Sequence, residues 1–139
     1  MLKFVTVFKY LGHFICNDLS DDDDVRREIR NMFIRVNTLR SKFSQCSVRV
    51  KRQIYRSFCL CIYGSALWRQ CSSLVHKNFR SCFNRCMKIF FAYRKYDSVT
   101  QMLLAIKLPS HDTFLHNLTV SFSYSWSHCN NSVVQHLVE

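Results

Sequence analysis

The chain has 139 residues, which fits one domain able to bury a core, and its 48% hydrophobic content excludes an intrinsically disordered protein. Only two Gly and one Pro are present, too few for the turns of an all-β fold, so long helices are expected. The net charge of +11 is unevenly spread: seventeen Lys and Arg lie between Arg26 and Lys95 against Glu28 alone, while acids crowd just ahead at Asp18 and Asp21 to Asp24. A basic block of that density points to a polyanionic partner, nucleic acid being the commonest.

The predicted elements begin with two β-rich runs, Phe4 to Phe8 and Tyr10 to Cys16, which read as a hairpin with Gly12 interrupting the second run. Ser20 and the run Asp21 to Asp24 mark a helix start, where a hydroxyl caps and carboxylates meet the positive end of the helix dipole. Val25, Ile29, Met32, Val36, Leu39 and Phe43 then follow at helical spacing, with Arg26, Arg27 and Arg30 away from that stripe. Ser47 caps a second helix through about Tyr63, with Val50, Ile54, Phe58, Cys61 and Ile62 inward and Arg49, Arg52 and Arg56 on another side. Gly64 ends or bends it.

A third helix over about Ser73 to Phe91 turns Val75, Phe79, Cys82, Phe83, Cys86 and Phe90 inward, with Lys77, Arg85 and Lys88 opposite. Asp97-Ser98 caps a short fourth helix through Ile106. Pro109 breaks the chain, and Ser110 or Asp112 caps a fifth helix carrying Phe114, Leu115, Leu118 and Phe122. Asn130-Asn131-Ser132 is a break before an apolar tail ending at Glu139. The expected fold is mainly α: an N-terminal β-hairpin over residues 1–17, then about five helices packed as one unit over residues 18–139.

The eight cysteines have no disulfide-scaffold spacing and read as reduced core residues. Cys71, His76, Cys82 and Cys86 invite a zinc reading, but they fall on or near the apolar stripe and contain no Cys-x₂-Cys half-site, so no metal ligand and no cofactor are assigned. Trp68 and Trp126 read as core anchors. Neither the apolar first residues nor the uncharged stretch from Thr113 to Val138, rich in Ser, Asn and His, makes a signal peptide or a membrane span.

The ordered motifs carry a resemblance. Phe8-Lys9-Tyr10-Leu11-Gly12-His13, an acidic run, Arg26-Arg27-Glu28-Ile29, then Val50-Lys51, Tyr63-Gly64-Ser65 with Leu67-Trp68, and Leu108-Pro109-Ser110 resemble the segment after the catalytic palm in reverse transcriptases of LINE-type (non-LTR) retrotransposons. The resemblance implies a primer-gripping hairpin at Tyr10, Leu11 and Gly12 and a thumb-like set of helices holding template–primer duplex. Contacts are expected from Arg49, Arg52 and Arg56, then Arg26, Arg27, Arg30, Lys77, Arg85 and Lys88, read against phosphates with little sequence preference.

The implied partners are an RNA–DNA or DNA duplex and the palm and fingers segments of the polymerase; the implied compartment is intracellular, nucleus or cytoplasm. The family's Mg²⁺-binding Asp-Asp hairpin lies upstream of the Phe-Lys-Tyr-Leu-Gly strand, so this chain is expected not to catalyse polymerisation by itself. Asp21 to Asp24 are read as a helix start and not as a substitute. The alternatives are a helical interaction module that self-associates through the hairpin, and a decayed copy without function.

Overall fold

The computed structural model describes residues 3–134. Its order is β1 (Val7–Tyr10), β2 (His13–Cys16), α1 (Asp22–Phe43), α2 (Val48–Ile54), a π-helical turn (Tyr55–Cys59), a 3₁₀ turn (Ser65–Leu67), α3 (Ser73–Phe91), α4 (Val99–Ile106) and α5 (His111–Ser127). The expected mainly helical architecture with an N-terminal hairpin and about five helices is therefore what the chain adopts. The expected tail beyond Val134, with Glu139, lies outside the described residues.

The hairpin is antiparallel with Val7 opposite Cys16 and Tyr10 opposite His13. Gly12 does not interrupt a strand. It forms the two-residue turn with Leu11, at φ values of 86° and 47°. Positive φ at both central positions gives the tight hairpin turn whose twist matches the strands.

Helix starts follow local chemistry. The hydroxyls of Ser47, Ser72, Ser98 and Ser110 each accept a hydrogen bond from the backbone N–H three residues on. The start of α1 differs from expectation. Asp21 occupies the cap position without a side-chain bond to its own helix, and Ser20 Oγ accepts only a 3.4 Å contact from the Asp22 N–H.

α1 lies against α3, and their facing stripes form the core. Val25, Met32 and Val36 meet Val75, Phe79, Cys82, Phe83, Cys86, Met87 and Phe90, joined by Met102 and Ile106 of α4 and Phe114 of α5. Of the expected inward face of the second helix, Ile62 is buried and Ile54 packs on the core, but the remainder needs correction. The α-helix ends at Ile54 and continues as a π turn, with the Leu60 N–H donating to the Tyr55 carbonyl at 3.1 Å. The wider turn rotates the later side chains. Tyr55 and Cys59 enter the core, whereas Phe58 is 57% exposed and Val50 is exposed. Tyr55 packs between Phe90 and Phe91, with ring centroids 5.5 and 5.6 Å away.

Two other expectations change. Trp126 lies on the surface against Phe122, so Trp68 alone of the two tryptophans packs on the core. Cys59, Cys82 and Cys86 are buried thiols, as expected of core residues, whereas Cys16, Cys46, Cys61 and Cys71 are free but only half-buried. Among the described residues, no helix is long and apolar enough to cross a membrane.

Candidate nucleic-acid interface

The acidic run is a joint. Asp24 is buried at the start of α1, and its carboxylate takes four donors: Phe14 N–H from β2 at 3.1 Å, His13 Nδ1 at 3.0 Å, Arg27 Nε at 2.8 Å and Trp68 Nε1 at 3.0 Å. A carboxylate only accepts, so His13 carries its proton on Nδ1 toward it. Burial by itself would raise the Asp24 pKa; the bonds from Arg27, His13, Trp68 and Phe14 outweigh it and hold the group at about 2.

Asp21 accepts from the Arg69 and Gln70 N–H groups at 2.7 and 2.8 Å, and Asp22 from the Ser72 N–H and hydroxyl at 2.8 and 2.7 Å. Three of the four aspartates thus hold the hairpin and the loop before α3 onto α1, while Asp23 pairs with Arg26 at the surface. Gly64 completes the joint: a Cβ there would stand 2.5 Å from the His13 ring.

This framework sets the basic residues. Arg27 is turned inward, paired with Asp24 and 3.5 Å from Glu28, and Glu28 also binds Arg35. Arg27 is therefore part of the joint. Arg26 and Arg30 are exposed and, with Val7, Phe14 and Asp23, line a hollow of about 200 Å³ between the hairpin and α1. Arg26 there faces Asp22 and Asp23 at 3.7 and 3.0 Å, so its charge is largely balanced.

On the second helical segment, Arg49 and Arg56 are exposed, and Arg56 reaches the Lys107 carbonyl past the end of α4 at 3.3 Å. Arg52 is half-buried, and its Nε lacks a partner. At the hairpin tip, Tyr10 and Leu11 are 56% and 83% exposed, and Gly12 is exposed beside them.

A groove of about 520 Å³ runs along the later half of α3. Ser81, Asn84, Arg85, Lys88 and Ile89 of α3 line it, with Tyr93 and Lys95 of the following loop and Val99 of α4. Among the described residues, three cations and no acidic side chain line this groove. Ala92, at φ 60°, turns the chain back at the helix end. Lys88 Nζ then ties down the loop by donating to the Lys95 and Asp97 carbonyls at 2.8 and 2.6 Å. Neutral carbonyls leave the ammonium charge uncompensated. The Arg85 guanidinium lies 5.6 Å from the Phe33 ring centroid of α1, which braces it at the rim.

Of the residues expected to contact nucleic acid, the structure brings Arg85 and Lys88 into one groove, sets Arg26 and Arg30 together at the hairpin, and leaves Arg49, Arg52, Arg56 and Lys77 elsewhere. Lys77 is exposed and lies one turn before Ser81 on the same helix face. Sequence reasoning missed Lys95 and Tyr93. The run Tyr93-Arg94-Lys95-Tyr96 sets two basic residues between two aromatic ones directly after a basic helix face, a signal that could have found them.

The residues that invited a zinc reading, Cys71, His76, Cys82 and Cys86, lie in different surroundings. Cys82 and Cys86 lie in the core with sulfurs 3.8 Å apart. His76 instead meets His111 and Asp112. Burial pushes the His111 pKa down against the raising effect of Asp112.

Comparison with known proteins finds no relative: no protein-family model, curated protein or solved structure matches the chain.

Proposed function

We propose that the chain is a thumb-like, post-palm segment of a LINE-type retrotransposon reverse transcriptase that holds template–primer nucleic acid through phosphate contacts and performs no polymerisation chemistry of its own. The observation that carries this reading is the acid-free groove lined by Arg85, Lys88 and Lys95. Three cations along one concavity suit a polyanionic backbone, and Tyr93 offers a ring beside them. The order of motifs supports the family. His13, Asp24, Gly64 and Trp68 come from separate motif pieces and meet in one joint, a reason for such pieces to occur together.

The test is fluorescence anisotropy with a labelled RNA–DNA hybrid and the matching DNA duplex at 50 and 200 mM salt. Three phosphate contacts predict roughly a fortyfold loss of affinity over that interval. Arg85→Glu with Lys95→Glu should weaken binding by about tenfold or more and flatten the salt slope. Reversing Arg49, Arg52 and Arg56 reports on the second helical segment in the same assay. Affinity that ignores both salt and the groove variants would overturn the reading.

A second reading, a protein-interaction module, has its own observation. The hairpin and its flanks expose Phe4, Val5, Val7, Phe8, Tyr10, Leu11 and Ile15 at 43% or more. Under that reading, self-association measured by sedimentation is lost on Phe8→Ser with Leu11→Ser and is untouched by the groove reversals.

A further inference from the structure

We infer that His76, His111 and Asp112 form a binding site for one zinc-class divalent cation. A nitrogen from each imidazole and a carboxylate oxygen of Asp112 lie within 4.8 Å of one another, where α3 passes the first turn of α5. Two imidazoles and a carboxylate are a donor set that borderline divalent ions favour, and three protein ligands leave coordination open to water.

The three groups differ in mobility in a way that suits closure around an ion. His111 is the fixed member: it is 2% exposed, and its ring stands edge-on to Phe79, Phe83 and His76 at 5.1, 5.5 and 5.3 Å. His76 is half-buried and Asp112 is exposed, so both can turn toward it. A pair of histidines from distant helices held this close needs an account.

The second observation is the orphaned nitrogen. His111 Nδ1 faces Asp112 Oδ1 at 2.9 Å, while Nε2 is buried with no hydrogen-bond partner among the described residues. A buried imidazole in a purely structural role is ordinarily satisfied at both nitrogens. Arg80 also donates to Asp112 Oδ1, at 2.8 Å, so both protein contacts fall on one carboxylate oxygen. The other oxygen is the one suited to a cation, and the Arg80 contact orients it, as outer partners of metal carboxylates do. The site is independent of the basic groove and of the nucleic-acid reading.

The experiment is titration of the reduced full chain with Co²⁺, followed by visible absorption and by competition with Zn²⁺. The expected result is one equivalent bound, with ligand-field bands but no thiolate charge-transfer band, and displacement by Zn²⁺. Affinity should fall roughly tenfold or more in His76→Ala and in Asp112→Asn, and persist in Cys71→Ser and Cys82→Ser. Both ligand variants alter residues that are not buried, so folding can be checked by circular dichroism alongside. A thiolate band, wild-type affinity in the folded His76→Ala protein, or no binding at micromolar protein would each overturn the site.

Discussion

The indole N–H of Trp68 donates to Oδ2 of Asp24 at 3.0 Å, joining residues forty-four positions apart. Because the same carboxylate also takes Phe14, His13 and Arg27, removing its charge undoes several contacts at once. Asp24→Asn would place an amide N–H₂ against donors only, and a loss of roughly 3 kcal/mol is expected from urea unfolding. Trp68→Phe, which removes one donor, should cost about 1 kcal/mol plus lost packing.

The pH dependence follows from the same carboxylate. Its folded pKa of about 2 lies below the ordinary 3.8, so its contribution is complete above pH 3.8 and disappears as pH falls through 2. The contribution is about 2 kcal/mol. Acid unfolding of Asp24→Asn should lack that component, and an unchanged acid limb would remove Asp24 from the account.

Gly64 faces two constraints. Its φ of 77° suits glycine, and an added Cβ would meet His13 Cε1 at 2.5 Å. Gly64→Ala should therefore destabilise by roughly 2–4 kcal/mol, combining left-handed strain with a displaced His13. Gly12→Ala has the strain but an open surrounding, so it should cost less. Equal losses would show that His13 yields without penalty.

Leu11 is 83% exposed with φ 47°, a conformation that a leucine adopts at a cost. Leu11→Asn should stabilise by about 0.5–1 kcal/mol, since asparagine tolerates the left-handed region. If Leu11 is retained for contact with the duplex or another segment, the stabilised variant will bind the hybrid more weakly. The thermal midpoint and the anisotropy assay separate the two effects.

Tyr55 is fully buried, and its hydroxyl has no hydrogen-bond partner among the described residues. Tyr55→Phe keeps the ring between Phe90 and Phe91 while removing the unsatisfied oxygen, so a gain of about 1 kcal/mol is expected. A loss of similar size in denaturant unfolding would mean that the hydroxyl is hydrogen-bonded in solution.

The helices were legible in the sequence because their causes are local. Apolar spacing marks α1 and α3, and the hydroxyls of Ser47, Ser98 and Ser110 stand at the positions where backbone N–H groups need acceptors. The dipole-favoured position of Asp21 to Asp24 was equally readable. Their partners were not, because Phe14, Trp68, Arg69 and Ser72 reach them only after the chain folds back. Periodicity also failed at the π turn, where one extra residue per turn exchanges Phe58 for Tyr55 and Cys59 in the core.

For the candidate sites, helical spacing alone places basic residues opposite the apolar face of α3, since a helix fixes which side chains share a side. Which of them lie in one groove is set by how the elements pack. The turn at Ala92 carries Tyr93 and Lys95 back over Arg85 and Lys88, and packing of α5 on α3 places His111 beside His76. Spacing along one helix sets directions around its own axis, whereas a groove or a ligand set depends on distances between elements, which no local pattern encodes.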